Sequence, residues 1–159
     1  MKSSWKKKVL SLAVAAFASA SIASAQGAEL WVGKWKLNPA KSVYGFSPKP
    51  EMSVSKIEPA EDGWRMSQDT MDAQGTTTHT EAFVKFDGRD YRVTGLANAT
   101  WSLLIIDDHT YELLSKRNGR VTTRTRTVVS ADGQTRVSTT TGTNAQGQVV
   151  TNVAVYEKQ

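Results

Sequence analysis

The chain has 159 residues, enough for one domain with a substantial core. It contains no cysteine, which excludes disulfides, thiolate nucleophiles, Cys-ligated metals and a lipid-bearing cysteine. The formal charge of +5 falls to +1 once the four lysines Lys2, Lys6, Lys7 and Lys8 are set aside, too little for the electrostatic footprint of nucleic-acid binding.

Those lysines precede an apolar run, Val9–Ala20, and the small-residue sequence Ala23-Ser24-Ala25. Charged, apolar and small segments in that order form a secretory signal peptide, with an apolar run too short to remain as a membrane span. Cleavage is expected after Ala25, leaving residues 26–159 as an exported domain, periplasmic or extracellular, with no membrane span. A buried N-terminal helix is the alternative, but stacked lysines ahead of an apolar run have no core-facing logic.

From Leu30 onward no helical period emerges. Short runs rich in Val, Thr, Ile, Tyr and Trp recur about every ten residues between turn residues, the pattern of a sandwich or barrel. The first predicted strand, Trp31–Leu37, puts Trp31, Gly33, Trp35 and Leu37 on one face. Gly33 leaves room for close approach, and Trp35 is expected to plug one end of a barrel, away from any ligand mouth. Asn38–Pro50, with three prolines, reads as a loop whose Tyr44 and Phe46 fold back over the core. Further strands are predicted at Met52–Glu58 (ended by Pro59), Trp64–Thr70, Thr76–Phe86 and Tyr91–Gly95. Thr100–Ile106 follows, apolar on both faces, as though covered twice or facing a partner. The last four are Thr110–Lys116, Arg120–Ser130, Thr135–Thr143 and Val149–Glu157. Tight turns throughout, Asn118-Gly119 the strongest, make sequential antiparallel neighbours. The expected fold is all-β, a single antiparallel up-and-down barrel of eight to ten strands, since closure removes exposed edges.

Catalytic chemistry finds little support. His79 and Glu81 share a strand face without a third ligand at comparable spacing, so an exposed histidine beside a carboxylate is the simpler reading. Asp107 and Asp108 are adjacent turn formers. Nucleophile-elbow, zinc-protease and phosphate-loop motifs are missing from the sequence. No catalytic residue, metal site or cofactor is expected.

Binding has more behind it. Alternation places aromatic and apolar side chains inside the barrel, where Tyr44, Phe46, Trp64, Met66, Tyr91, Trp101, Leu103, Tyr111 and Tyr156 are candidate ligand contacts. The alternative is that they simply fill the interior. Arg124 and Arg126 share one face of their strand, opposite Val121, Thr123, Thr125, Thr127 and Val129. Burial preference favours these arginines outward, with one reaching the Trp35 ring as a barrel-closing cation. The inward alternative would require an anionic partner.

The segment Gly33–Leu37 (G-K-W-K-L) resembles the Gly-x-Trp opening of lipocalins and the first strand of fatty-acid-binding proteins, and Ala154–Lys158 resembles the last strand of the latter. More broadly, Gly33–Ser42, Phe86–Gly95 and Gly142–Gln159 resemble a group of uncharacterised secreted bacterial lipocalin-like proteins. The resemblance implies a calycin-type barrel. It does not carry over the fatty-acid-binding carboxylate clamp, because the position two residues before the final-strand tyrosine is Ala154. Asn38–Pro50 is too short and proline-rich for the helical lid of that family, and no histidine follows His109 to serve a nitrobindin-type haem. The resulting expectation is a non-enzymatic exported barrel for a small apolar or amphipathic molecule. The alternative is an envelope-associated interaction or inhibitor-like barrel with a filled core.

Overall fold

The computed structural model describes residues 29–45, 47–144 and 146–159; the leader expected at 1–25, and Phe46, lie outside the described residues. Ten strands follow in chain order: β1 (Gly33–Leu37), β2 (Met52–Ala60), β3 (Gly63–Met71), β4 (Thr77–Lys85), β5 (Tyr91–Arg92), β6 (Ala99–Asp107), β7 (Thr110–Arg117), β8 (Arg120–Val129), β9 (Thr135–Thr143) and β10 (Val149–Lys158). All neighbours are antiparallel, in the order β4-β3-β2-β1-β10-β9-β8-β7-β6-β5. Only the β1–β10 pairing departs from sequential hairpins, and it sets Trp35 opposite Lys158 and Leu37 opposite Tyr156. The two ends of the sheet meet where Glu81 and Thr94 exchange backbone hydrogen bonds of 3.2 and 2.8 Å. This is the expected up-and-down barrel, closed except for a thin seam between β4 and β5.

Gly95 makes that seam possible. Its φ is +87°, and a Cβ there would stand 1.9 Å from the carbonyl oxygen of His79, so only glycine lets the chain pass this close to β4.

Three predicted boundaries shift. Residues 29–31 are helical, so Trp31 precedes the sheet and β1 begins at Gly33. Pro59 does not end β2, because the pairing of β2 with β1 stops at Ile57 and Pro59 lies where β2 has a partner on one side only. The fifth strand is two residues long, since Val93 turns to bond Ala99 and Thr94 turns to β4.

One end of the barrel is plugged by rings. Trp31 lies 4.8 Å from Tyr111 and 6.0 Å from Trp64, and Trp64 meets Phe86 edge-on at 4.9 Å. Trp35, fully buried, donates its indole N–H to the Trp31 carbonyl at 2.9 Å and so ties the helical turn to β1. Above the Trp35 ring runs Lys158, whose Nζ is 5.2 Å from the ring centre and bonds the Leu30 carbonyl at 3.2 Å. A Cβ on Gly33 would come within 2.8 Å of the Lys158 stem, so the glycine two residues before the tryptophan makes room for that cation.

Arg124 lies outside the barrel and pairs with Glu112. Neither Arg124 nor Arg126 caps the Trp35 ring. Lys158 and Arg136 do so, because β10 and β9, and not β8, run past the plugged end beside β1. On β6 the two-sided apolar pattern splits. Leu103 is buried, while Leu104 and Ile106 are exposed on the outer face.

Candidate ligand-binding cavity

Above the aromatic plug the barrel encloses a cavity of about 320 Å³. Its walls follow from strand alternation and register. β2 and β3 contribute Ser55, Ile57, Met66 and Gln68; β6 and β7 contribute Trp101, Tyr111, Leu113 and Ser115. β8 to β10 contribute Thr123, Thr125, Thr127, Arg136, Ser138, Thr140, Asn152, Ala154 and Tyr156. Two further spaces, of about 310 and 410 Å³, form the mouth and share Gln68 and Thr70. The first lies against Tyr44 and Ser47 to Pro50, and the second beside Leu96 and Trp101.

The roof is fastened from inside. Asn152 on β10 is buried; its side-chain oxygen accepts from the Gly45 N–H at 2.7 Å and its amide donates to Ser47 Oγ at 2.7 Å. The Val43–Val153 bridge holds the same loop on β10. Tyr44 lines both the cavity and one half of the mouth, and burial, with a smaller contribution from neighbouring Tyr156, pushes its pKa up to about 12.

Against β2 and β3 a polar cluster takes shape. Ser53 Oγ lies 3.2 Å from the Tyr156 hydroxyl, and Gln68 donates to Ser53 Oγ at 3.0 Å. Across β8 and β9 the hydroxyls meet in register: Thr125 with Thr140 and Thr127 with Ser138, each at 2.9 Å.

Arg136 brings a buried charge into this interior. The residue is only 4% exposed, and its guanidinium lies 4.6 Å from the Tyr156 ring centre and 5.1 Å from that of Trp35. One Nη2–H donates to Ser55 Oγ. Its Nε is buried without a hydrogen-bond partner, and no carboxylate pairs with it among the described residues. A buried cation held by ring faces and one hydroxyl has lost far more hydration than it has regained.

The chain is similar to zebrafish ileal bile acid-binding protein, crystallised with cholic acid, at 14% identity and a TM-score of 0.49, over 82% of this chain and 99% of that one. No protein-family model matches the chain, and no curated protein does.

The candidate contacts divide by position. Tyr44, Met66, Trp101, Tyr111 and Tyr156 line the cavity. Trp64 and Leu103 are buried in the packed end, where their rings and methyls face other core groups. Tyr91 stands at the seam, edge-on to Phe83 at 6.2 Å with its hydroxyl donating to Asp87 at 3.0 Å. Arg136 and the hydroxyl wall are absent from the sequence-based candidates. Alternation along Arg136, Ser138 and Thr140 on β9 carries the same signal as Thr123, Thr125 and Thr127 on β8.

Among the described residues no group of three or more His, Cys, Asp or Glu could hold a metal ion. His79 faces outward, 2.6 Å from Asp69, with its neighbour Glu81 paired to Arg65 at 3.1 Å.

Proposed function

We propose that this protein is an exported, non-enzymatic barrel that binds a small amphipathic anion, its acidic group meeting Arg136 and its apolar part lying against Met66, Ile57 and Trp101. A single observation carries the reading: Arg136 is a buried, carboxylate-free guanidinium with an orphan Nε in the wall of an enterable cavity. An anion reaching the guanidinium from the cavity would offset the buried charge. The cavity of about 320 Å³ sits within the usual size range of small-molecule sites. The leader pattern in residues 1–25 supports export, and the motif likeness supports membership of the secreted bacterial lipocalin-like group.

The interaction-module alternative draws on the exposed Leu104 and Ile106, but a cavity of this size with an unpartnered cation has no purpose in a filled barrel. Native mass spectrometry of protein purified from its own host, followed by negative-ion analysis of released material, tests the proposal. The expected result is a bound anion of a few hundred daltons. An apo mass alone, together with no fluorescence enhancement of the anionic dye anilinonaphthalenesulfonate, would overturn it.

A further inference from the structure

The wall formed by β8 and β9 describes the ligand more closely. Five interior positions there, Thr123, Thr125, Thr127, Ser138 and Thr140, carry hydroxyls. Strand propensity does not explain them, because valine has the shape of threonine and an equal preference for strands. Nor is the chain indifferent to polarity inside, since Ile57, Val84, Leu103 and Val129 occupy other buried interior positions. The register stacks these hydroxyls in rungs, Thr125 on Thr140 and Thr127 on Ser138.

Each rung spends one hydroxyl proton on its internal bond. On the Thr125–Thr140 rung, both residues half-buried, a second proton and most of the lone pairs stay free for other partners, whereas on the other rung Thr127 is fully buried and only Ser138 is half-buried. A straight hydrocarbon chain laid along this wall would expel water and leave those groups unmatched, which offsets what burying its methylenes gains. A ligand with hydroxyls of its own along that side would match the rungs, while its opposite side met Met66, Ile57 and Trp101.

Resting on the reading of the cavity as an anion-binding site, we infer that the ligand is a polyhydroxylated organic acid, one face bearing hydroxyls and the other apolar, and not a simple alkyl carboxylate. The acid meets Arg136, and the hydroxylated face meets the β8–β9 rungs.

Two probes of matched size, each a phenyl ether of a six-membered ring bearing one carboxylate, separate the possibilities: phenyl glucuronide, and its deoxygenated carbocyclic analogue 3-phenoxycyclohexanecarboxylate. Each is titrated into the full chain by displacement of anilinonaphthalenesulfonate. The wild type is expected to bind the glucuronide at least about tenfold tighter. In the Thr125→Val/Thr140→Val variant, which removes both members of a rung so that neither is stranded, the preference should shrink at least about fivefold. Thr127→Val/Ser138→Ala provides the same reading on the second rung should the first variant fail to fold. Equal or tighter binding of the analogue by the wild type, or a full preference kept in both rung variants, overturns the inference. If the dye binds but neither acid displaces it, the hydroxyl inference falls and the binding barrel stands; if the dye does not bind either, both fall.

Discussion

Arg136 and Trp35 are stacked, guanidinium over indole at 5.1 Å, although the first lies on β9 and the second on β1. The pairing of β1 and β10 brings them together, and Lys158 supplies a second cation on the same ring. The residue that closes the barrel thus also supports the buried charge in the described cavity wall. If Arg136 binds the ligand as proposed, Trp35 is coupled to binding instead of standing apart from it. Trp35→Ala should cost about 3–5 kcal/mol in urea unfolding, and it should weaken anion binding as well, because Arg136 loses a supporting ring. Trp35→Phe keeps a ring and loses only the bond to Trp31, so its cost should be nearer 1–2 kcal/mol.

Closure at the seam rests on Gly95. Gly95→Ala would put a methyl on the His79 carbonyl oxygen and force a positive φ on a residue that resists it. The expected loss is at least about 2 kcal/mol by chemical denaturation, with faster amide exchange at Thr94 and Glu81.

Alkaline pH should act on the roof. The Tyr44 pKa stands above its ordinary value, at about 12, because burial disfavours the phenolate and Tyr156 lies nearby. The protonated phenol is therefore favoured by folding. This contribution is complete below about pH 10 and is lost as the pH rises through about 12. Burial and the bond to Asp87 raise Tyr91 as well, so absorbance titration of tyrosinate should show late ionisation whose Tyr44 part disappears in Tyr44→Phe, and that variant should have a flatter stability profile above pH 10. A wild-type titration without a late component would contradict the placement of Tyr44.

The latch at Asn152 can be separated from the sheet. Asn152→Ala removes the side-chain bonds to Gly45 and Ser47 but leaves the Val43–Val153 bridge. It should cost about 1–3 kcal/mol, and dye should enter and leave faster in stopped-flow measurements with little change in equilibrium affinity. Unchanged exchange rates would mean that entry runs instead past Leu96 and Thr78 on the other side of the mouth.

Much of the fold was legible because alternation and turn chemistry are local signals. Asn118-Gly119 marks its hairpin, and the Thr/Val face of β8 turns inward as burial preference implies. What stayed hidden depended on distant partners. Pro59 reads as a terminator until the short reach of β1 is known. Trp64 reads as a ligand contact until Trp31 and Phe86 are seen packed on it. Arg136 was missed for a related reason. In sequence it is one arginine among several on threonine-rich strands, and only the barrel shows that β9 carries it against the Tyr156 ring with no carboxylate paired to it among the described residues.

The central claim is that Arg136 is kept for a ligand and not for the fold, and substitution by methionine tests it most directly. Replacing an unpaired buried charge by an apolar side chain of similar length is often neutral or stabilising. Arg136→Met should therefore melt at or above the wild-type temperature while its affinity for anilinonaphthalenesulfonate falls at least about tenfold, with Arg136→Lys in between. A variant that is destabilised by several kcal/mol yet binds the dye with wild-type affinity would contradict the account.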